Sequence, residues 1–164
     1  MDDCMKTIRI ERIEKSIEVK ARLSVVYNQW TQFEQFPDFM RGVKSVVQLD
    51  NRHLAWRAKI LGYEVGWEAE ITEQVPDQLI SWRSTSGHPN KGTIYFTSVN
   101  TEITKMTLII EYETQGLLEK ITDALGALSF RIAGDLHSFR KFIEQRGAAT
   151  GGWRGIIPIP AVIS

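Results

Sequence analysis

Between Val43 and Thr114 the chain reads as strand after strand, and a tryptophan-rich part of that run constrains its own register. The segments VKSVVQLD, HLAWRAKI, YEVGWEAEIT, LISWRST, GTIYFTSV and ITKMTLIIEYET are separated by turn signals at Asn51–Arg52, Leu61–Gly62, Pro76–Asp77, SGHPNKG and Asn100–Thr101. Strands in series with short connections imply an antiparallel meander. A two-residue turn at Leu61–Gly62 sets Ile60 opposite Tyr63, which puts Trp56 across from Trp67, Lys59 across from Glu64 and His53 across from Glu70. A turn at Pro76–Asp77, with Val75 opposite Gln78, sets Trp82 across from Ile71 and Arg83 across from Glu70.

Both turns give one partition. Leu54, Trp56, Ala58, Ile60, Tyr63, Val65, Trp67, Ala69, Ile71, Ile80 and Trp82 share a face, while Arg57, Lys59, Glu64, Glu68, Glu70 and Arg83 share the other. A one-residue slip would move the tryptophans onto the charged face. To keep Ile94 and Phe96 with Met106, Leu108, Ile110 and Tyr112, the last connection needs an odd-length turn at Asn100–Glu102.

Such a continuous apolar face must be covered by another layer. From Leu117 to Arg146, apolar residues recur at 117, 118, 121, 125, 128, 132, 136, 139, 142 and 143. That is one stripe of a helix about 45 Å long, with Gly116 before it and Gly147 after it. Ala124, Gly126, Ala127, Ala133 and Gly134 lie on or near the stripe. Glycine inside a helix costs about 1 kcal/mol relative to alanine, so these positions imply either close approach or space. Ahead of the meander, SIEVKA reads as a half-buried strand that residues 8–13 can extend. Ser24 is an N-cap for a short helix through Thr31, with Val26 and Trp30 on one face, and FEQFPDFM forms a second short turn or helix. Trp30 and Phe39 read as helix-to-sheet packing. The divisions are an N-terminal extension 1–14, a domain 15–146 and a Gly/Pro-rich tail 147–164, docked loosely or disordered in isolation.

Composition narrows the function. The chain has 164 residues, 20 basic and 20 acidic, for a formal net charge of zero. One domain of this size needs no disulfide or metal to fold. A balanced charge argues against nucleic-acid binding through a phosphate footprint. Cys4 is the sole cysteine, which excludes an intrachain disulfide. The charged start and the lack of an apolar run near ~20 residues give the expectation of a cytoplasmic protein without a transmembrane segment. His53, His88 and His137 have no metal-ligand spacing. There is no phosphate loop and no nucleophile elbow, and the apolar sheet face carries no carboxylate. No metal, cofactor or catalytic residue is assigned.

A strand, two short helices, a six-stranded meander and a long C-terminal helix follow the order of the helix-grip fold. The stretches VYNQWTQFEQFPDFMRGVKSVVQLD, LAWRAKILGYEVGWEAEITEQVPDQLISWRS, GTIYF and TKMTLIIEYE resemble the polyketide cyclase/dehydrase-like branch of the START-like superfamily. The resemblance spans residues 15 to 146. It implies an α+β fold: a seven-stranded antiparallel twisted sheet wrapped around the C-terminal helix, with a hydrophobic cavity between them. It also implies a small lipophilic ligand, such as a polyketide, a quinone or a lipid-like molecule. Candidate cavity residues are Trp56, Trp67, Trp82, Tyr63, Phe96, Leu108, Ile110, Tyr112, Leu125, Leu128 and Ile132. Solid core filling explains the tryptophans as well as a cavity wall does. A non-catalytic binding module is the leading expectation. The alternative is a cyclase or aromatase using Tyr63, Tyr112 and His88, which lies in a loop at the cavity mouth. A third possibility is an interaction module whose tail, GIIPIPAVI, docks on a partner or closes the pocket.

Overall fold

The computed structural model describes residues 9–60, 62–114 and 124–160. Strands β1 (Arg9–Val19), β2 (Val43–Gln48), β3 (His53–Ile60), β4 (Tyr63–Val75), β5 (Leu79–Gly87), β6 (Asn90–Asn100) and β7 (Ile103–Thr114) form one antiparallel sheet. Their order is β1-β7-β6-β5-β4-β3-β2, so the meander runs unbroken and β1 returns to pair with β7. Helix α1 (Leu23–Trp30) and a 3-10 helix (Phe33–Asp38) carry the chain from one edge strand to the other. Helix α2 (Ala124–Arg146) grips the inner face, about 35 Å long over its described part. Leu117, Leu118 and Ile121 of the expected stripe lie outside the described residues.

Local chemistry explains most boundaries and corrects several. Arg22 rather than Ser24 is the N-cap of α1, and it caps with no side-chain bond. Pro37 sits inside the 3-10 helix rather than ending it, a short helix that needs few backbone donors. Trp30 and Phe39 also pack on α2, with Phe139 at 5.1 and 5.3 Å between ring centroids. Phe36 joins them to Trp56 at 5.7 Å. Elsewhere, α1 lies over β6 and β7, burying Val26 and Tyr27 with Ile94, Phe96 and Met106.

The β3–β4 register is the expected one, with Trp56 opposite Trp67 and Ile60 opposite Tyr63. Gly62 in that turn has φ 86°, while Leu61 lies outside the described residues. In β4–β5 the central pairs Ile71–Trp82 and Glu70–Arg83 are as expected, but the turn is not. Val75 pairs with Leu79 around a three-residue turn in which Asp77 takes φ 64°, and a bulge at Thr72 restores the register. The bulge also turns Gln74 inward to lie opposite Ile80. In β6–β7 the expected partition holds, with Ile94 opposite Leu108 and Phe96 opposite Met106. It arises from a two-residue turn plus a bulge at Val99, not from an odd-length turn. SGHPNKG is mostly strand, with only His88 and Pro89 between β5 and β6.

The described part of the tail, residues 147–160, docks on the domain. Ile157 is buried and pairs with Gln74 at the edge of β4 that β3 leaves free. Thr150 donates its backbone N–H to Gln29 Oε1 at 2.8 Å, satisfying a fully buried amide. The Trp153 backbone N–H donates to Thr31 Oγ1 at 3.0 Å, and Arg154 bridges to Asp77 at 2.7 Å while lying over the Tyr27 ring.

Candidate functional site

Between the inner face of the sheet and the first half of α2 lies a partly open cavity of about 1060 Å³. The β3–β4 and β5–β6 turns, the end of β7 and the start of β2 lie at one end of the sheet. Helix α2 begins at that end and finishes at the other, where Glu144 accepts the Lys20 backbone N–H. Gly62, His88, Asn90, Tyr112 and Phe130 therefore line the mouth. Phe33, Phe36, Leu54, Ile71, Ile80 and Leu136 line the depth.

Trp56, Trp67, Trp82, Leu108, Ile110, Tyr112, Leu128 and Ile132 all border this space. Trp56 and Trp67 stack at 5.6 Å with 7° between their planes, as direct cross-strand pairing allows. All three tryptophans are only half-buried, so they form a wall rather than a filled core. Trp82 Nε1 donates to Asn90 Oδ1 at 3.0 Å, and Asn90 Nδ2 donates to the His88 carbonyl at 2.9 Å. Trp67 Nε1 is buried and finds no acceptor among the described residues. Gly134 faces the cavity, and a Cβ there would meet nothing within 4 Å. Of the two explanations for helical glycine, space is the one that applies at this position.

Two candidates fall elsewhere. Tyr63 is 51% exposed at the hairpin tip and does not line the cavity. Phe96 faces inward but under α1, edge-on to Tyr27 at 5.3 Å, which fills the space a ligand would need. The side chain of Leu125 lies outside the described residues. None of the tail residues 147–160 lines the cavity, so they do not close it.

Sequence reasoning missed a carboxylate. The sheet face has none, but α2 contributes Asp135, three residues after Ile132 and seven after Leu128, hence on the same helical face. Burial raises its pKa to about 6, against the opposing pull of the Arg131 guanidinium and the Arg41 backbone N–H. Helical spacing was the available signal, and the surrounding apolar stripe masked it. Burial also lowers the His88 pKa, with Glu113 acting in the other direction. Burial raises that of Tyr112, and the Glu11 carboxylate adds to the rise. His53 sits on the outer face between Asp50 and Glu70, at 2.9 and 3.6 Å. Among the described residues no group of three His, Cys, Asp or Glu side chains could hold a metal ion. No described helix is long and apolar enough to cross a membrane.

Comparison with known proteins agrees with this geometry. The family model for polyketide cyclase/dehydrase and lipid transport matches residues 19–139. An uncharacterised 17.2 kDa protein of Streptomyces lincolnensis is 39% identical over 149 residues, covering 90% of this chain and 99% of its own. The Zhui aromatase/cyclase of a Streptomyces species superposes with a TM-score of 0.70 at 14% identity, over 88% of this chain and all of the other. A START superfamily protein of Mycobacterium smegmatis gives 0.66 at 15% identity, over 83% of this chain and 96% of the other. The two structures share the fold, and the matched model, which spans most of the sequence, makes this chain a member of the polyketide cyclase/dehydrase and lipid transport family.

Proposed function

We propose that the chain binds one small lipophilic molecule, polyketide-, quinone- or lipid-like, between the sheet and α2 without transforming it. The observation that carries this is the cavity of about 1060 Å³ walled by half-buried Trp56, Trp67 and Trp82. Apolar contact area supplies affinity, and a few polar groups such as the Tyr112 hydroxyl fix orientation. The neutral fluorophore N-phenyl-1-naphthylamine tests it. Saturable one-to-one binding with energy transfer from tryptophan is expected. Gly134→Leu extends a side chain into open space and should weaken binding by roughly tenfold or more, about 1.4 kcal/mol. Absence of saturable binding, or binding indifferent to Gly134→Leu, contradicts the proposal.

One observation favours a second reading, a cyclase or aromatase acting in the same cavity. Asp135, with a pKa raised to about 6, lines it together with His88 and Tyr112. A carboxylate titrating near neutrality suits proton transfer next to a carbonyl. Tyr63 has no part in this version, because it lies away from the cavity. If Asp135→Asn and Tyr112→Phe both leave turnover of a poly-β-ketone substrate intact, these residues carry no such chemistry.

A further inference from the structure

The cavity differs in charge from mouth to depth. Its depth is walled by Phe33, Phe36, Leu54, Ile71 and Ile80, whereas Arg41, Lys44 and Arg131 border it near the start of β2 and the first half of α2. Arg131 reaches across from α2 so that its guanidinium lies against Gly42, where any larger residue would collide with it. A bulge at Lys44 breaks the β2–β3 register at this point.

All three are exposed, but Lys44 also borders an outer-face cleft with Arg57 and Glu64, and Arg131 acts on the Asp135 carboxylate. Among the described residues that line the cavity, the one acid is Asp135, one helical turn beyond Arg131. Lys59 also borders the cavity, but it pairs across the strands with Glu64 and belongs to the outer face.

We propose that the ligand is a lipophilic anion, its apolar body in the depth and a carboxylate or phosphate head held at the mouth by Arg41 and Arg131. This rests on the cavity-binding reading above and adds the head group to it. The planar donor fork of a guanidinium matches the geometry of carboxylate and phosphate oxygens. A neutral lipophile leaves these cations to water and gains nothing from them.

Calorimetric titration with dodecanol, dodecanoate and dodecyl phosphate, each below its micellar concentration, tests the head group at constant tail. The anions should bind about tenfold or more tightly than the alcohol, as charged hydrogen bonds of this kind contribute. That ratio should shrink at high salt and approach one in an Arg41→Gln, Arg131→Gln double variant. Preference for dodecanoate points to a free acid and preference for dodecyl phosphate to a phosphate ester; both support the proposal. Equal binding of alcohol and anions overturns it. If none of the three binds while N-phenyl-1-naphthylamine does, the head-group assignment alone fails. If that probe fails too, the cavity reading falls with it.

Discussion

The carboxyl of Asp135 is held up to about 6 chiefly by burial, and this has a consequence for stability. A carboxylic acid whose folded pKa lies above its unfolded value of 3.8 binds protons more readily when folded. Its contribution is therefore lost as pH rises from about 4 to about 6. Asp135→Asn should raise the melting temperature at pH 7.5 and change it little at pH 4.5, read by thermal unfolding at both. Gly87 is a second sensitive position. It takes φ 80°, and a Cβ there would run into the Gly66 carbonyl and Trp67 Cα. Gly87→Ala should cost about 1–3 kcal/mol in urea denaturation. At this scale the sequence was uneven to read. Facing tryptophans follow from pairing arithmetic, because side chains alternate without exception along an unbroken strand. Asp135 was not found, because one acid within an apolar helical stripe looks like a residue on its edge.

At the scale of elements, the strands and their order could be read because each has its own alternating pattern and turn signal. Bulges could not. The extra residues at Thr72 and Val99 leave the apolar pattern of neighbouring segments in place while changing the turns beside them. In β4–β5 the longer turn and the bulge offset each other, so the centre of the pairing came out as expected despite a wrong turn. The tail misled for another reason. Glycine and proline content indicates irregular backbone but says nothing of docking, which here depends on the buried Gln29 and on the free edge at Gln74. Removing residues 150–164 should destabilise the chain by about 2–4 kcal/mol, from Ile157 burial and the orphaned Gln29 amide. Ile156 and Ile159 remain exposed in the docked tail. If truncation leaves stability unchanged but alters oligomeric state, the segment serves a partner instead of its own fold.

At the scale of the molecule, an apolar sheet face and one amphipathic helix have few ways to meet, so their layering was legible in the sequence. Whether their interface is solid or hollow was not legible, because a tryptophan that fills a core and one that walls a cavity have the same pattern in sequence. Three-dimensional curvature decides it, through the way α1 and the 3-10 helix fill one part of the sheet and leave the rest to α2. Filling that space from the helix should separate stability from binding. Gly134→Ala gains about 1 kcal/mol of helix stability, and Gly134→Leu should keep the fold while losing ligand. The central claim is that this space is occupied in the cell. Native mass spectrometry of the protein purified from its own host tests it directly. The account predicts the 18.7 kDa chain carrying one adduct of small-molecule mass, released by organic extraction and replaced by added lipophile. A bare chain that neither carries nor takes up such a molecule would contradict it.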